Sequence, residues 1–161
     1  MASTALRLEV SDVEGGSMPG SGPNIVVGAD GSDASAEALR WAIRHAKLIG
    51  AEVRVVTGYT YPFTIFLAPT YTEADYERDA AEAQRVTIEK ATQGLRDVPL
   101  TTTVIQTRPA RLLTEMARDA DLLVVGAHGP DGFTGMHLGS VANYCVHHAP
   151  CPVVVVRPPI D

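Results

Sequence analysis

The run Leu122-Leu123-Val124-Val125, closed by Gly126, constrains this chain more than any other stretch. Four successive branched apolar residues leave no polar face to turn toward water. Such a run reads as a strand buried on both sides, the usual state of strands in parallel sheets. Residues 126–140 then read G-A-H-G-P-D-G-F-T-G-M-H-L-G-S, with glycine at Gly126, Gly129, Gly132, Gly135 and Gly139. Apolar residues at helical spacing follow Ser140. A helix start leaves unpaired N–H donors and carries the positive end of the helix dipole. Strand, glycine-rich loop and helix start together form a cradle suited to phosphate. The same residues also fit a surface loop that binds nothing.

The rest of the chain repeats the alternation of short apolar run and helical pattern. Strands are expected over 24–29, 52–58, 100–106 and 152–157, in addition to the run ending at Gly126. Helices are expected over 33–49, 73–95, 110–119 and 140–148. Ser32 or Asp33 suits a cap for the first helix and Gly50 its stop, while Pro109 suits a helix start. The charges of the second helix read as a solvated face. Five alternations imply a parallel sheet with right-handed crossovers and helices on both faces. Such sheets bind ligands where the winding reverses, outside the carboxyl ends of the strands. Two strands end in unusual chemistry, the first in Asp30-Gly31-Ser32 and the fourth in Gly126-Ala127-His128-Gly129. Strand order 3-2-1-4-5 makes these two neighbours. Residues 1–23, rich in Ser, Gly and Pro, read as a flexible arm before a single domain at 24–161. The aromatic, Pro-broken stretch 59–72 is too long for an ordinary connection, which makes it functional, an interface, or a cover for its own aromatics.

Composition narrows the partners. The net charge of −6 argues against non-specific binding of nucleic acid or anionic membrane. No apolar run is long enough to span a membrane, and no signal-like segment opens the chain, so a cytoplasmic location is expected. Cys145, His147, His148 and Cys151 match no recognised zinc spacing, and Cys145 reads as a packed helix residue. No metal ligand set is expected from protein side chains alone.

The spacing Gly126-x2-Gly129-x9-Gly139-Ser140 resembles the nucleotide-binding signature of the ATP-binding branch of the universal stress protein family. No Walker A loop and no dinucleotide fingerprint occurs in the chain. The resemblance extends over residues 24–157. It includes V-V-G-A-D-G-S at 26–32, the outline R-P-A-R-L-L…D-A-D-L-L-V-V-G at 108–126, and the ending C-P-V-V-V-V. It implies a Rossmann-like fold of the adenine nucleotide alpha hydrolase-like kind, again with order 3-2-1-4-5. It further implies a stress-response sensor or regulator that binds ATP, with Mg2+, and pairs as a homodimer through Val153-Val156.

Carried over by position, the resemblance implies that Asp30 contacts the adenosine end, its carboxylate accepting from a ribose hydroxyl. Gly58 would offer backbone to the adenine edge. Gly126, Gly129 and Gly139 would cradle the phosphates, with the Ser140 hydroxyl and the Val141 N–H completing the nest. Each position has an ordinary alternative: a helix cap for Asp30 and Ser140, turns for the glycines. The chain departs from the family at Ala127-His128, at Asp131, which adds negative charge or helps hold magnesium through water, and at Ala142, where a hydroxyl residue is frequent. A cyclic-AMP-binding regulator and an ATP-hydrolysing or adenylating enzyme are the alternatives. The chain has no nucleophile–base pair and no Lys placed for phosphoryl transfer, and D-G-S-D at 30–33 does not match an adenylating loop. A receiver domain would need Asp where Thr107 stands and Lys where Arg157 stands.

Overall fold

The computed structural model describes residues 22–62, 71–93, 99–129 and 137–159. Five strands and four helices alternate: β1 (Asn24–Gly28), α1 (Asp33–Ile49), β2 (Glu52–Tyr59), α2 (Glu73–Thr92), β3 (Leu100–Gln106), α3 (Pro109–Met116), β4 (Leu122–Gly126), α4 (Ser140–His148) and β5 (Val153–Val156). All pairings are parallel and the strand order is β3-β2-β1-β4-β5, as expected from the sequence.

Alternation along each strand divides the core into two layers. Ile25 and Val27 of β1, Val53 and Val55 of β2 and Val124 of β4 face α1 and α2. Val26, Val56, Leu123 and Val125 face α3 and α4. Ile25, Val26, Val27, Leu123 and Val124 are fully buried. Each such side chain contributes about 1.5–3 kcal/mol relative to exposure. The central strands can therefore be apolar at every position, because helices cover both faces.

Local chemistry sets the helix ends. The Ser32 hydroxyl accepts from the Ser35 N–H at 3.1 Å and caps α1. Gly50 ends α1 at φ 68°, a left-handed conformation that glycine adopts without Cβ strain. Thr72 and Asp75 form a reciprocal capping box at the start of α2. Its Arg78–Asp79 and Arg85–Glu82 pairs are largely exposed, the solvated face expected from the sequence.

Several boundaries differ from expectation: β1 ends at Gly28 and β5 covers only Val153–Val156, each shorter than expected. Strand β2 includes Tyr59, because its pairing with β3 continues to Gln106. Helix α2 is helical to Thr92, and Leu95 lies outside the described residues. The third helix begins at Pro109 and tightens into a 3-10 turn at Ala117–Asp119. Of the arm only Gly22 and Pro23 are described, and the Pro23 carbonyl already accepts from the Glu52 N–H at 3.1 Å. Of the aromatic connection, residues 63–70 lie outside the described set; Tyr61 and Tyr71 at its two ends both pack against Tyr76 of α2. Among the described residues no helix is long and apolar enough to cross a membrane.

The two thiols differ in surroundings. Cys145 is fully buried between α4 and α3, and burial pushes its thiol up to about 11. Cys151 is half-buried, its thiol raised by desolvation. Because the thiolate is the nucleophile, native protein at mildly alkaline pH should take up iodoacetamide slowly and at Cys151 only. Cys145 should react after unfolding in denaturant. Equal labelling of both in the native protein, read by peptide mass, would contradict the buried placement.

Candidate functional site

A cleft of about 550 Å³ opens at the carboxyl ends of β1 and β4. This is the reversal point of the sheet, since β1 pairs with β2 on one side and β4 on the other. Asp30, Gly58, Gly126, Gly129, Gly139, Ser140 and Val141 all line it. Sequence reasoning had grouped these residues from four separate stretches, and the fold brings them to one concavity.

Three walls can be distinguished. The turn after β1 supplies Ala29 and Asp30. The Asp30 carboxylate accepts through Oδ1 from the Ser32 N–H at 2.9 Å and the Ser32 hydroxyl at 2.5 Å. Among the described residues its Oδ2 accepts nothing, and it lies beside Gly129, where an added Cβ would stand 3.1 Å away. The second wall is apolar: Val56, Pro109 and Leu113 join Gly58. Sequence reasoning missed these three, because an apolar residue at a strand end or helix start carries no signal separating cleft from core.

The third wall is the start of α4. Gly139 is its N-cap and offers no side chain to the first-turn N–H groups. The Gly139 N–H itself donates to the Ala127 carbonyl at 2.7 Å, which ties this helix start to the end of β4. Ser140 is exposed and Val141 half-buried. Ala142, where a hydroxyl residue is frequent in the resembling family, is 2% exposed and packs into the layer facing α3 and α4. His128 and His137 also line the cleft, and no lysine or arginine is among its described lining residues. Asp131 and the rest of 130–136 lie outside the described residues. Among the described residues no three His, Cys, Asp or Glu side chains gather as a metal site.

The glycines prove to be constrained by the protein itself. Among the described residues only Gly31 and Gly50 have positive φ. At Gly126 a Cβ would stand 2.8 Å from the Ala34 carbonyl carbon in the first turn of α1. At Gly58 it would stand 2.9 Å from both the Pro109 Cα and the Thr107 carbonyl oxygen. At Gly139 it would meet the His128 Cα at 3.0 Å. These are backbone contacts, which cannot swing aside. Gly129 is different, since its one near neighbour is a side-chain atom, Oδ2 of the exposed Asp30, and no backbone lies close. Gly126→Ala should therefore cost about 1–3 kcal/mol of stability through overpacking. Gly129→Ala should stay within about 0.5 kcal/mol. Urea unfolding of the two variants checks this, and equal costs would contradict the contact geometry.

Known proteins share both sequence and fold with this chain. Residues 23–157 match the model of the universal stress protein family. Universal stress protein Rv2005c of Mycobacterium tuberculosis (strain ATCC 25618 / H37Rv) is 35% identical over 134 residues, covering 83% of this chain and 45% of that protein. The chain spans about half the length of the curated relatives it matches. The universal stress protein UspA from Lactobacillus plantarum superposes with a TM-score of 0.68 at 25% identity, covering 84% of this chain and 97% of that one. A universal stress protein crystallised in complex with cAMP superposes with a TM-score of 0.64 at 26% identity, covering 85% and 98%. With the family model matched along nearly the whole of the fold, from Pro23 past the end of β5, the chain belongs to the universal stress protein family.

Proposed function

We propose that the cleft binds an adenine nucleotide, ATP with Mg2+, and that the chain acts as a stress-response sensor or regulator. The observation that carries this reading is the convergence of Asp30, Gly58 and the Gly126–Gly129–Gly139 spacing on one cleft at the sheet reversal. Its volume falls within the usual range of about 300–1,000 Å³ for small-ligand sites. In this reading the phosphates lie over the uncapped first turn of α4, where the N–H groups and helix dipole favour negative charge. The base lies against Val56, Pro109 and Leu113. Oδ2 of Asp30, which has no partner among the described residues, accepts a ribose hydroxyl.

Charge supports a divalent cation as companion. With no lysine or arginine among the described lining residues, the triphosphate faces backbone donors, the Ser140 hydroxyl and two histidines. Magnesium arriving with the phosphates supplies the missing positive charge and keeps most of its own waters. Cyclic AMP is the second reading. It carries a single phosphate charge, which suits a cleft poor in cations, and a family member 26% identical is described in complex with it.

Gly129→Asp tests the site. Its carboxylate would stand against Asp30 and in the cradle, without a backbone clash. Calorimetry should show the affinity for magnesium ATP falling by about tenfold or more, or about 1.4 kcal/mol and above. Urea stability should hold near wild type. Unchanged affinity would overturn the site assignment. Cyclic AMP titrated in parallel separates the two nucleotide readings.

We also propose a homodimer through β5. Among the described residues β5 pairs only with β4, so its other edge has unpaired backbone groups. The carbonyls of Pro152 and Val156 accept from β4 and the residue after it. Strand alternation therefore turns the Val155 N–H outward. Val155→Pro removes that outward donor and leaves the β4 ladder intact. Light scattering should give a dimer for wild type and a monomer for the variant, with unchanged circular dichroism. A wild type that is monomeric at micromolar concentration would refute the pairing.

A further inference from the structure

The turn that carries Asp30 is held from behind by α2, which has no part in the cleft wall. Thr87 of α2 is fully buried. Its hydroxyl accepts from the Gly31 N–H at 2.9 Å, approaches the Ser35 hydroxyl at 3.2 Å, and donates to the Ala83 carbonyl at 3.0 Å. One hydroxyl has one proton and two lone pairs. With the Ser35 proton committed to the Ser32 carbonyl, the Thr87 proton is shared between the Ala83 carbonyl and the Ser35 hydroxyl, while a lone pair accepts from the Gly31 N–H. The Ser35 hydroxyl in turn accepts from the Asp30 N–H at 3.4 Å and donates to the Ser32 carbonyl at 2.9 Å. Ser32 holds Oδ1 of Asp30. A continuous chain of hydrogen bonds thus runs from Thr87 to the carboxylate.

Packing reinforces the chain. Gly31 has φ 85°, and a Cβ there would lie 3.3 Å from the Ala83 Cβ, so the turn lies flush on α2. Lys90, one helical turn beyond Thr87, bonds Asp33 at 2.7 Å and reaches the Gly31 carbonyl at 3.5 Å. The Asp30 side chain itself is exposed. An exposed carboxylate samples several rotamers unless its backbone and one oxygen are fixed. Here both are, and Oδ2 is the oxygen left facing the cleft.

We infer that Thr87 is a positioning residue for Asp30, and that through it α2 sets the cleft's preference for a ligand with ribose hydroxyls. The inference rests on the proposed role of Asp30 as acceptor from the ribose. Thr87 touches no ligand and acts through the Gly31–Ser35 turn alone. A residue that merely supports the fold would alter affinity for every ligand alike. Thr87 should instead alter the ratio between ligands with and without ribose hydroxyls.

The test is calorimetry of the full chain with magnesium ATP and with magnesium 2′,3′-dideoxy-ATP. Wild type should prefer ATP by about tenfold, the scale of one hydrogen bond to a charged acceptor. Thr87→Val keeps the shape and removes the hydroxyl. It should bring the preference to within about twofold while leaving dideoxy-ATP binding near wild type. Thr87→Ser restores the hydroxyl and should restore the preference. Ser35→Ala, which breaks the chain at its next link, should narrow the ratio as well and serves if Thr87→Val does not fold. A wild-type ratio in Thr87→Val, or in Ser35→Ala, would overturn the inference. So would an equal loss for both nucleotides. Asp30→Ala separates the two claims: it should abolish the preference, and a preference that survives it refutes the ribose role of Asp30 itself.

Discussion

The pairing of β1 with β4 is the constraint on which the rest of the structure depends. Val26 lies opposite Leu123 and Val27 opposite Val124, all fully buried. This pairing joins a strand early in the chain to one nearly a hundred residues later and reverses the direction of winding. On one side the chain steps outward through β2 to β3, and on the other from β4 to β5. The connections leaving β1 and β4 therefore diverge to opposite faces, and the space between them becomes the cleft. Its walls are made by α1 and α4 starts and by the turn into α3, all anchored to rigid strand ends.

Much of this was legible in the sequence, for identifiable reasons. Leu122–Gly126 is apolar at every position because both its faces are covered, and the half-buried edge strand Val153–Val156 repeats the pattern because it packs against both core layers. Ser32, Gly50 and Pro109 mark helix ends through local chemistry that acts before any tertiary contact forms. The glycines at 126, 129 and 139 stood out by their spacing, while Asp30 and Gly58 came from the family resemblance, and all five line the cleft. What was not legible depends on contacts between distant segments. Gln84 and Thr87 read as polar residues on a charged helix, yet both are buried. Gln84 donates to the Val55 carbonyl and the Thr103 carbonyl across the sheet, and Thr87 holds the Asp30 turn. Nothing in their neighbours along the chain distinguishes them from Glu82 or Arg85, which are exposed.

The glycines show how one signature can serve two demands. Gly58, Gly126 and Gly139 exclude a side chain because the backbone of another element passes within van der Waals distance. That close packing brings strand ends and helix starts near enough to surround a small ligand. Packing therefore requires glycine at these three positions, and the proposed cradle would use the same residues, with only Gly129 freed from the packing requirement. The electrostatics follow the same economy. The start of α4 has no side-chain cap, His128 and His137 line the cleft, and Asp30 is its one described carboxylate.

In the proposed function an adenine nucleotide occupies this cleft with its phosphates over the start of α4. The most direct measurement is the change in backbone amide resonances of the isotope-labelled full chain on titration with magnesium ATP. Saturable shifts should be largest at Ala127, His128, Gly129, Ser140 and Val141, with a second set at Asp30 and Gly31. Shifts centred elsewhere on the molecule, or none at millimolar nucleotide, would contradict it.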